Sequence, residues 1–375
     1  MTKTIHYLLF IAILSASCQK KEAVRTENSS IQDQLDSLVN TVPDFSGVIL
    51  FAEQGKPVFE RSIGYRNFDT RIPIESTDIF ELASVSKQFT AMTIMMLKEK
   101  GLLDYDELIE KYLPNLPYKG ITIRHLLTHT SGLPDYYALM DEYWDKSKVA
   151  TNRDIIDYLV KYAPPKNFEP GEKYLYSNTG YVLLGSITEA VAGQDFIDFC
   201  QQTIFDPLQM TSTGIRSNAQ KDELVNMAYG HIFVEEKNKY MRADSFPSSN
   251  YTIWLGGRKG PGRVSSTAAD LLKWDQALLK NELVDKATMN EAFTPTALND
   301  GTISNYGFGW GINPDSELGK IVLHTGSNPG YKTIIVRYLD AEKTLIMLNN
   351  NAHPQFEDLR KTIDRLIADK INLEN

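Results

Sequence analysis

Apolar and polar positions alternate with a period that changes along the chain, and the changes outline its elements. Ile31, Leu35, Leu38 and Val39 share one face at helical spacing and predict a short amphipathic helix. Gly47 to Phe51 is strand-like, Glu53-Gln54-Gly55-Lys56 is a turn, and Val58 to Gly64 is a returning strand, so a hairpin is expected. Over Ser84 to Lys100 the apolar residues Val85, Phe89, Met92, Met95 and Met96 recur at helical spacing, and Gly101 ends the run. Further helices are expected at 123–128, 155–162, 180–192 and 267–279, the last capped by Ser266 or Thr267. Strand character returns at 306–312, 320–325, 331–338 and 344–349, and a final helix is expected over 355–368. The absence of regular strand–helix alternation argues against a doubly wound parallel sheet. The pattern predicts an α+β fold: an antiparallel sheet flanked by helices, built from both ends of the chain (about 31–100 and 301–371). An all-helical part is inserted at about 101–300.

Composition narrows the class without naming it. With 375 residues, 42% apolar and 23% charged, the chain is long enough for one large domain or two closely packed ones. The formal charge of −9 is diffuse and no basic run occurs, so no nucleic-acid partner is expected. At the N-terminus Lys3 and His6 precede the apolar run Tyr7 to Leu14, too short to span a bilayer, and Ser15-Ala16-Ser17-Cys18 follows. Residues 1–18 are similar to the signal peptide and processing box of bacterial lipoproteins, although Leu14 lies one position further from the cysteine than usual. That likeness implies a lipidated Cys18, a flexible polar tether over 19–30, and attachment to a cell-envelope membrane by lipid rather than by a transmembrane helix. A soluble secreted form is the alternative. The other cysteine, Cys200, follows Phe196, Ile197 and Phe199 and reads as a core residue.

Three polar islands carry candidate chemistry. Ser84 and Lys87 lie one helical turn apart, so the amine is held beside the hydroxyl. A serine hydroxyl needs a neighbouring base, and a buried lysine can be one once its pKa falls. The same spacing also suits a helix-capping serine with a solvated lysine. Tyr176-Ser177-Asn178 precedes the helix at Gly180, where a phenol can relay protons and an amide can hold an ammonium or a substrate. His324-Thr325-Gly326-Ser327-Asn328-Pro329-Gly330 lies where a strand is expected to end, with glycines that allow close backbone approach.

In this order the islands resemble the three-part signature of serine β-lactamases and penicillin-binding proteins. More narrowly they resemble the class C β-lactamase-related hydrolases, which include D,D-carboxypeptidases, D-aminopeptidases and esterases. The likeness extends to Phe80–Ala91, to Thr122–Pro134, to Tyr176–Tyr181 with Gly185, and to Gly262–Asp270, so that it covers about residues 31–370. It implies a catalytic cleft between a sheet-and-helix part and a helical part, with no cofactor or metal. Ser84 is then the acylated nucleophile, and Lys87 with Tyr176 moves its proton. Backbone N–H groups of Ser84 and Ser327 form an oxyanion hole, while Asn178, His324, Thr325 and Gly326 orient the substrate.

One departure bears on substrate. Penicillin-recognising relatives usually carry lysine where this chain has His324, and histidine offers a charge only when protonated. The leading expectation is therefore an amide or peptide containing a D-amino acid. A carboxylesterase, a β-lactamase and an inactive surface binding module remain as alternatives, and oligomeric state is open. His125 and His129 are four apart but lack the H-E-x-x-H pattern, so they are expected to support the cleft and not to bind metal. Tyr136, Tyr137, Tyr143 and Trp144 either line the cleft or pack the helical part, and Trp254 is placed beside the site.

Overall fold

The computed structural model describes residues 30–374; the expected signal segment, Cys18 and the tether as far as residue 29 lie outside the described residues. Six strands form one antiparallel sheet: β1 (Gly47–Glu53), β2 (Lys56–Ile63), β3 (Gly311–Ser316), β4 (Gly319–Asn328), β5 (Tyr331–Tyr338) and β6 (Lys343–Asn349). Their spatial order is β3-β4-β5-β6-β1-β2. The two ends of the chain thus meet at the centre, where β1 pairs with β6 from Gly47↔Asn349 to Glu53↔Lys343.

The continuous apolar run of β1 follows from this central place. Side chains on a strand alternate between faces, and here both faces are covered. Ile49 and Phe51 join a core with Leu35 and Val39 of helix Ile31–Val39 and with Phe356, Leu359 and Ile363 of the C-terminal helix Phe356–Glu374. Val48 and Leu50 face the larger core with Phe89, Met92 and Trp274. Ser30 caps the first helix by accepting from Asp33 N–H at 3.1 Å.

The second core carries the middle of the chain. Helix Lys87–Glu99 runs through it beside Asn178–Ala192, and Phe89 packs between Phe205 and Trp274 at ring separations of 5.4 and 4.6 Å. Helices dominate this region as expected, with small strands added. Phe80–Glu81 and Gly214–Ile215 flank Val264–Ser266, and His231–Val234 forms a hairpin with Lys239–Arg242.

Two boundaries differ from the expectation. Residues 306–310 are not a strand: β3 begins at Gly311. A Cβ on Gly307 would lie 2.1 Å from Ala292 O, and one on Gly309 would lie 2.9 Å from Lys87 O, so the segment is pressed against two helices, and Tyr306 makes only an isolated bridge with Gly311. Conversely β4 does not stop at residue 325 but continues to Asn328, still paired with β5 up to Asn328↔Tyr331. Its pairing with β3 ends at Gly311↔Leu323, which leaves His324–Asn328 on an edge.

Candidate active site

Ser84 is presented by a strained turn. Phe80–Glu81 pairs with Val264–Ser266, and Leu82 N–H donates to Val264 O at 2.9 Å. Ala83 then adopts a left-handed φ of 48°, a conformation costing a residue with a Cβ roughly 1–3 kcal/mol. A 3₁₀ turn, Ala83–Ser86, follows, and the α-helix proper starts at Lys87. Ser86 Oγ accepts from Val264 N–H at 3.1 Å and pins the turn in place. The one-turn spacing of serine and lysine survives this change of helix type. Lys87 Nζ lies 3.2 Å from Ser84 Oγ.

Lys87 is fully buried, and its amine lies 2.8 Å from both Asn178 Oδ1 and Pro261 O. Burial first, and the charge of Arg258 second, hold its pKa well below the usual lysine value. An uncharged amine has two N–H bonds and one lone pair. The two carbonyl oxygens can only accept, so they take both N–H bonds and leave the lone pair turned to Ser84. That is the arrangement a general base requires.

Tyr176 and Asn178 reach this point from either side of a helix cap. Ser177 Oγ accepts from Gly180 N–H at 3.2 Å to start helix Asn178–Ala192, and Ser177 N–H donates to His129 Nδ1 at 3.1 Å. The Tyr176 ring is centred 4.8 Å from Lys87 Nζ. Although the residue is 39% exposed, desolvation raises its pKa, partly opposed by a hydrogen bond with Ser84. The phenol is therefore protonated at neutral pH.

The third island forms the opposite wall. Gly326 is needed for the strand's approach to its own chain: an added Cβ would lie 2.2 Å from Leu82 O and 2.3 Å from Thr333 Oγ1. This contact brings the β4 edge beside Leu82 and Ala83, the residues before Ser84. His324 is buried beneath the cleft, its Nδ1 2.7 Å from Thr325 O and its Nε2 2.9 Å from Tyr306 Oη. The carbonyl requires N–H at Nδ1, so Nε2 accepts from the tyrosine. Burial, with Lys87 next in weight, lowers the His324 pKa to about 3. This imidazole is neutral and offers no charge to a substrate carboxylate. Thr325 and Ser327 are exposed on the other face of the strand.

A cleft of about 390 Å³ opens above Ser84, lined among others by Tyr136, Tyr137, Asn178, Tyr251, Arg258 and Ser327. The four aromatic residues read ambiguously in the sequence therefore divide. Tyr136 and Tyr137 face the cleft, whereas Tyr143 stacks on Tyr162 and Trp144 packs on Tyr158. Trp254 is buried behind Tyr137, its ring centroid 6.1 Å away. His125 and His129 serve separate local ends. His125 Nδ1 accepts from Thr122 N–H at 3.1 Å, and His129 packs 4.3 Å from the Tyr176 ring.

Three contributors are not apparent from the sequence: Pro261 through its carbonyl, Tyr306 beneath His324, and Arg258 in the wall. The signal was the glycine-rich run 256–262. Gly260, at φ 105°, would place a Cβ 2.0 Å from Tyr181 O, so only glycine threads this loop past helix Asn178–Ala192.

Comparison with known proteins agrees with this architecture. The Beta-lactamase family model matches residues 35–369. The chain is 42% identical over 307 residues to penicillin-binding protein 4* of Bacillus subtilis (strain 168), covering 82% of this chain and 68% of that protein. Among solved structures it is similar to a penicillin binding protein from Bacillus halodurans, at 26% identity and a TM-score of 0.75, covering 90% of this chain and 99% of the other. It is also similar to the D-amino acid amidase of Ochrobactrum anthropi SV3 complexed with L-phenylalanine amide, at 26% identity and a TM-score of 0.73, covering 92% and 98%. The chain belongs to the Beta-lactamase family and is a serine hydrolase of that fold.

Proposed function

We propose that the protein hydrolyses an amide containing a D-amino acid through an ester on Ser84. The observation that carries this reading is the Lys87 amine, fully buried, 3.2 Å from Ser84 Oγ and 2.8 Å from two oxygens that can only accept. Lys87 takes the serine proton as Oγ attacks the carbonyl carbon, and the carbonyl oxygen gathers charge. Backbone N–H groups of Ser84 and Ser327 meet that charge, each such donor typically contributing about 3 kcal/mol to the transition state. The protonated lysine then lies against the Tyr176 ring and draws the phenol pKa back down. The phenol can thus deliver a proton to the departing nitrogen and be restored by lysine. Water repeats the cycle on the acyl ester.

A nitrogen leaving group needs this proton more than an alkoxide does, which favours an amide over an ester. The neutral His324 weighs against a β-lactam, because strand β4 presents no fixed cation there. Similarity to a D-amino acid amidase points the same way.

The test is a time-resolved intact mass spectrum of the chain lacking residues 1–18. It would be mixed in parallel with a D-amino acid amide, a D-alanyl peptide, a short-chain ester and a penicillin. A Ser84-dependent adduct or product formed fastest from the D-amide or D-peptide is expected. Turnover retained in Ser84→Ala removes the assignment, and faster clearance of the ester overturns the substrate. For localisation we propose lipid attachment at Cys18, on the sequence pattern alone; a mature protein without acylated Cys18 would refute it.

A further inference from the structure

We propose that Arg258 is the receptor for a carboxylate carried by the substrate, so that the cleft selects acidic amides from the loop 256–262 and not from strand β4. This rests on the reading of the Ser84 cleft as the substrate site. Arg258 is 9% exposed and lines that cleft. Its guanidinium makes no hydrogen bond or ion pair with any described residue, and its Nε is buried without a partner.

Other enclosed arginines hold partners: Arg337 pairs with Asp275 at 2.5 Å, half-buried Arg216 donates to Ser265 Oγ at 2.7 Å, and Arg263, whose Nε also lacks a partner, donates through its terminal nitrogens to Arg216 O and Asn218 Oδ1 at 3.0 and 2.8 Å. A buried charge left alone is costly unless something supplies the counter-charge. Among the described residues no carboxylate forms an ion pair with Arg258. Glu81 is the carboxylate whose charge it feels, but Glu81 is engaged by Lys221 on one oxygen and by Asn328 Nδ2, at 2.6 Å, on the other. Asp135, also in the cleft wall, is bound to Tyr137 N–H at 2.9 Å.

The guanidinium is placed to reach a bound substrate. A Cβ built on Gly262 would lie 4.0 Å from Arg258 Nη2 and 3.7 Å from Ala83 O, so the cation and the residue before the nucleophile flank the same glycine. Tyr136, Tyr137 and Tyr251 border it and offer apolar faces to the remainder of an acidic residue. A planar fork of N–H donors matches the two oxygens of a carboxylate. His324, neutral below the strand, cannot supply that match.

Binding separates this proposal from the catalytic reading. In a Ser84→Ala background, calorimetry would compare N-acetyl-D-alanyl-D-alanine with its C-terminal carboxamide, and an N-succinyl-D-alanine anilide with its succinamoyl counterpart. These pairs place the acid on the leaving and acyl sides respectively. In one pair the carboxylate is expected to bind at least tenfold more tightly. Arg258→Met should bring that ratio to within about twofold of one, and Arg258→Lys should keep part of it. Each ratio is internal to one variant, so altered stability does not mimic the result. Ratios near one in both pairs, or ratios unchanged by Arg258→Met, overturn the proposal. Turnover that survives Ser84→Ala would instead remove the nucleophile while leaving the Arg258 ratios to stand or fall separately.

Discussion

Gly326→Ala tests whether the cleft depends on how closely β4 approaches the serine turn. The added methyl would lie 2.2 Å from Leu82 O, 2.3 Å from Thr333 Oγ1 and 3.2 Å from the Ala83 Cβ. The hydroxyl of Thr333 cannot simply rotate away without losing its 2.8 Å bond to Leu82 O. An ordinary carbon–oxygen contact needs about 1 Å more than the first of these distances, so strand and turn must part by roughly that amount. Overpacking of this kind destabilises by about 1–3 kcal/mol. A displacement of about 1 Å between reacting groups can lower a rate ~100-fold. The assay pairs thermal unfolding with kcat/KM for a D-amino acid amide and with the rate of Ser84 labelling by a fluorophosphonate. The expected variant is folded, melts a few degrees lower, and loses about two orders of magnitude in kcat/KM. Its labelling should slow as well, because the Ser327 donor moves with the strand. An unchanged melting temperature together with a kcat/KM within about twofold of the parent's would refute the reasoning, since β4 could then retreat without consequence.

Other outcomes follow from the buried groups. Lys87→Ala should lower the acylation rate by about 10²–10⁴, and wild-type kcat/KM should rise with pH along a limb centred well below 10.5 as the amine deprotonates; a limb near 10.5 would show a solvated lysine. His324 has its pKa lowered to about 3, so between the unfolded value of 6.5 and that point the unfolded chain binds a proton that the folded chain does not. Stability should therefore fall as pH drops through this window, and His324→Gln should flatten that slope in melts recorded from pH 7 to 4; an unchanged slope would assign it to other groups. Glu81→Gln leaves the Lys221 ammonium buried without its counter-charge and should destabilise by about 3–5 kcal/mol in urea unfolding. An effect under 1 kcal/mol would mean that the pair is dispensable.

Much of this arrangement is legible in the sequence because it is encoded locally. Ser84 and Lys87 are one turn apart whether the turn is 3₁₀ or α, so their meeting survives the early part of the helix being misread. The sheet built from both termini follows from apolar periods alone, and β1 is apolar throughout because both its faces are covered. The third island misleads for a physical reason. The strand is expected to end at residue 325, but Gly326 permits it to press against another segment, and the strand runs on to Asn328. Tyr136 and Tyr143 share a helix and a residue type, and only the tertiary packing sends one to the cleft and the other to Tyr162. The glycine-rich run 256–262 points to the loop that carries Arg258, but what marks the arginine itself is a missing partner, and no sequence pattern displays an absence of that kind.

The union of β1 with β6 also governs when activity can arise during synthesis. The bond from Asn349 Nδ2 to Ser46 O spans 303 residues, and β4 with its Ser327 wall belongs to the same late segment. A nascent chain that has reached residue 300 already carries Ser84, Lys87, Tyr176, Asn178 and Arg258, yet it has only the β1–β2 hairpin of the main sheet. Its β1 then has one open edge, and the face that meets Phe356, Leu359 and Ile363 lacks that part of its cover, a form prone to aggregate and slow to find distant partners. Ser84 gains its opposite wall only when the last strands dock. The cleft around it is therefore among the last features of the fold that synthesis can complete.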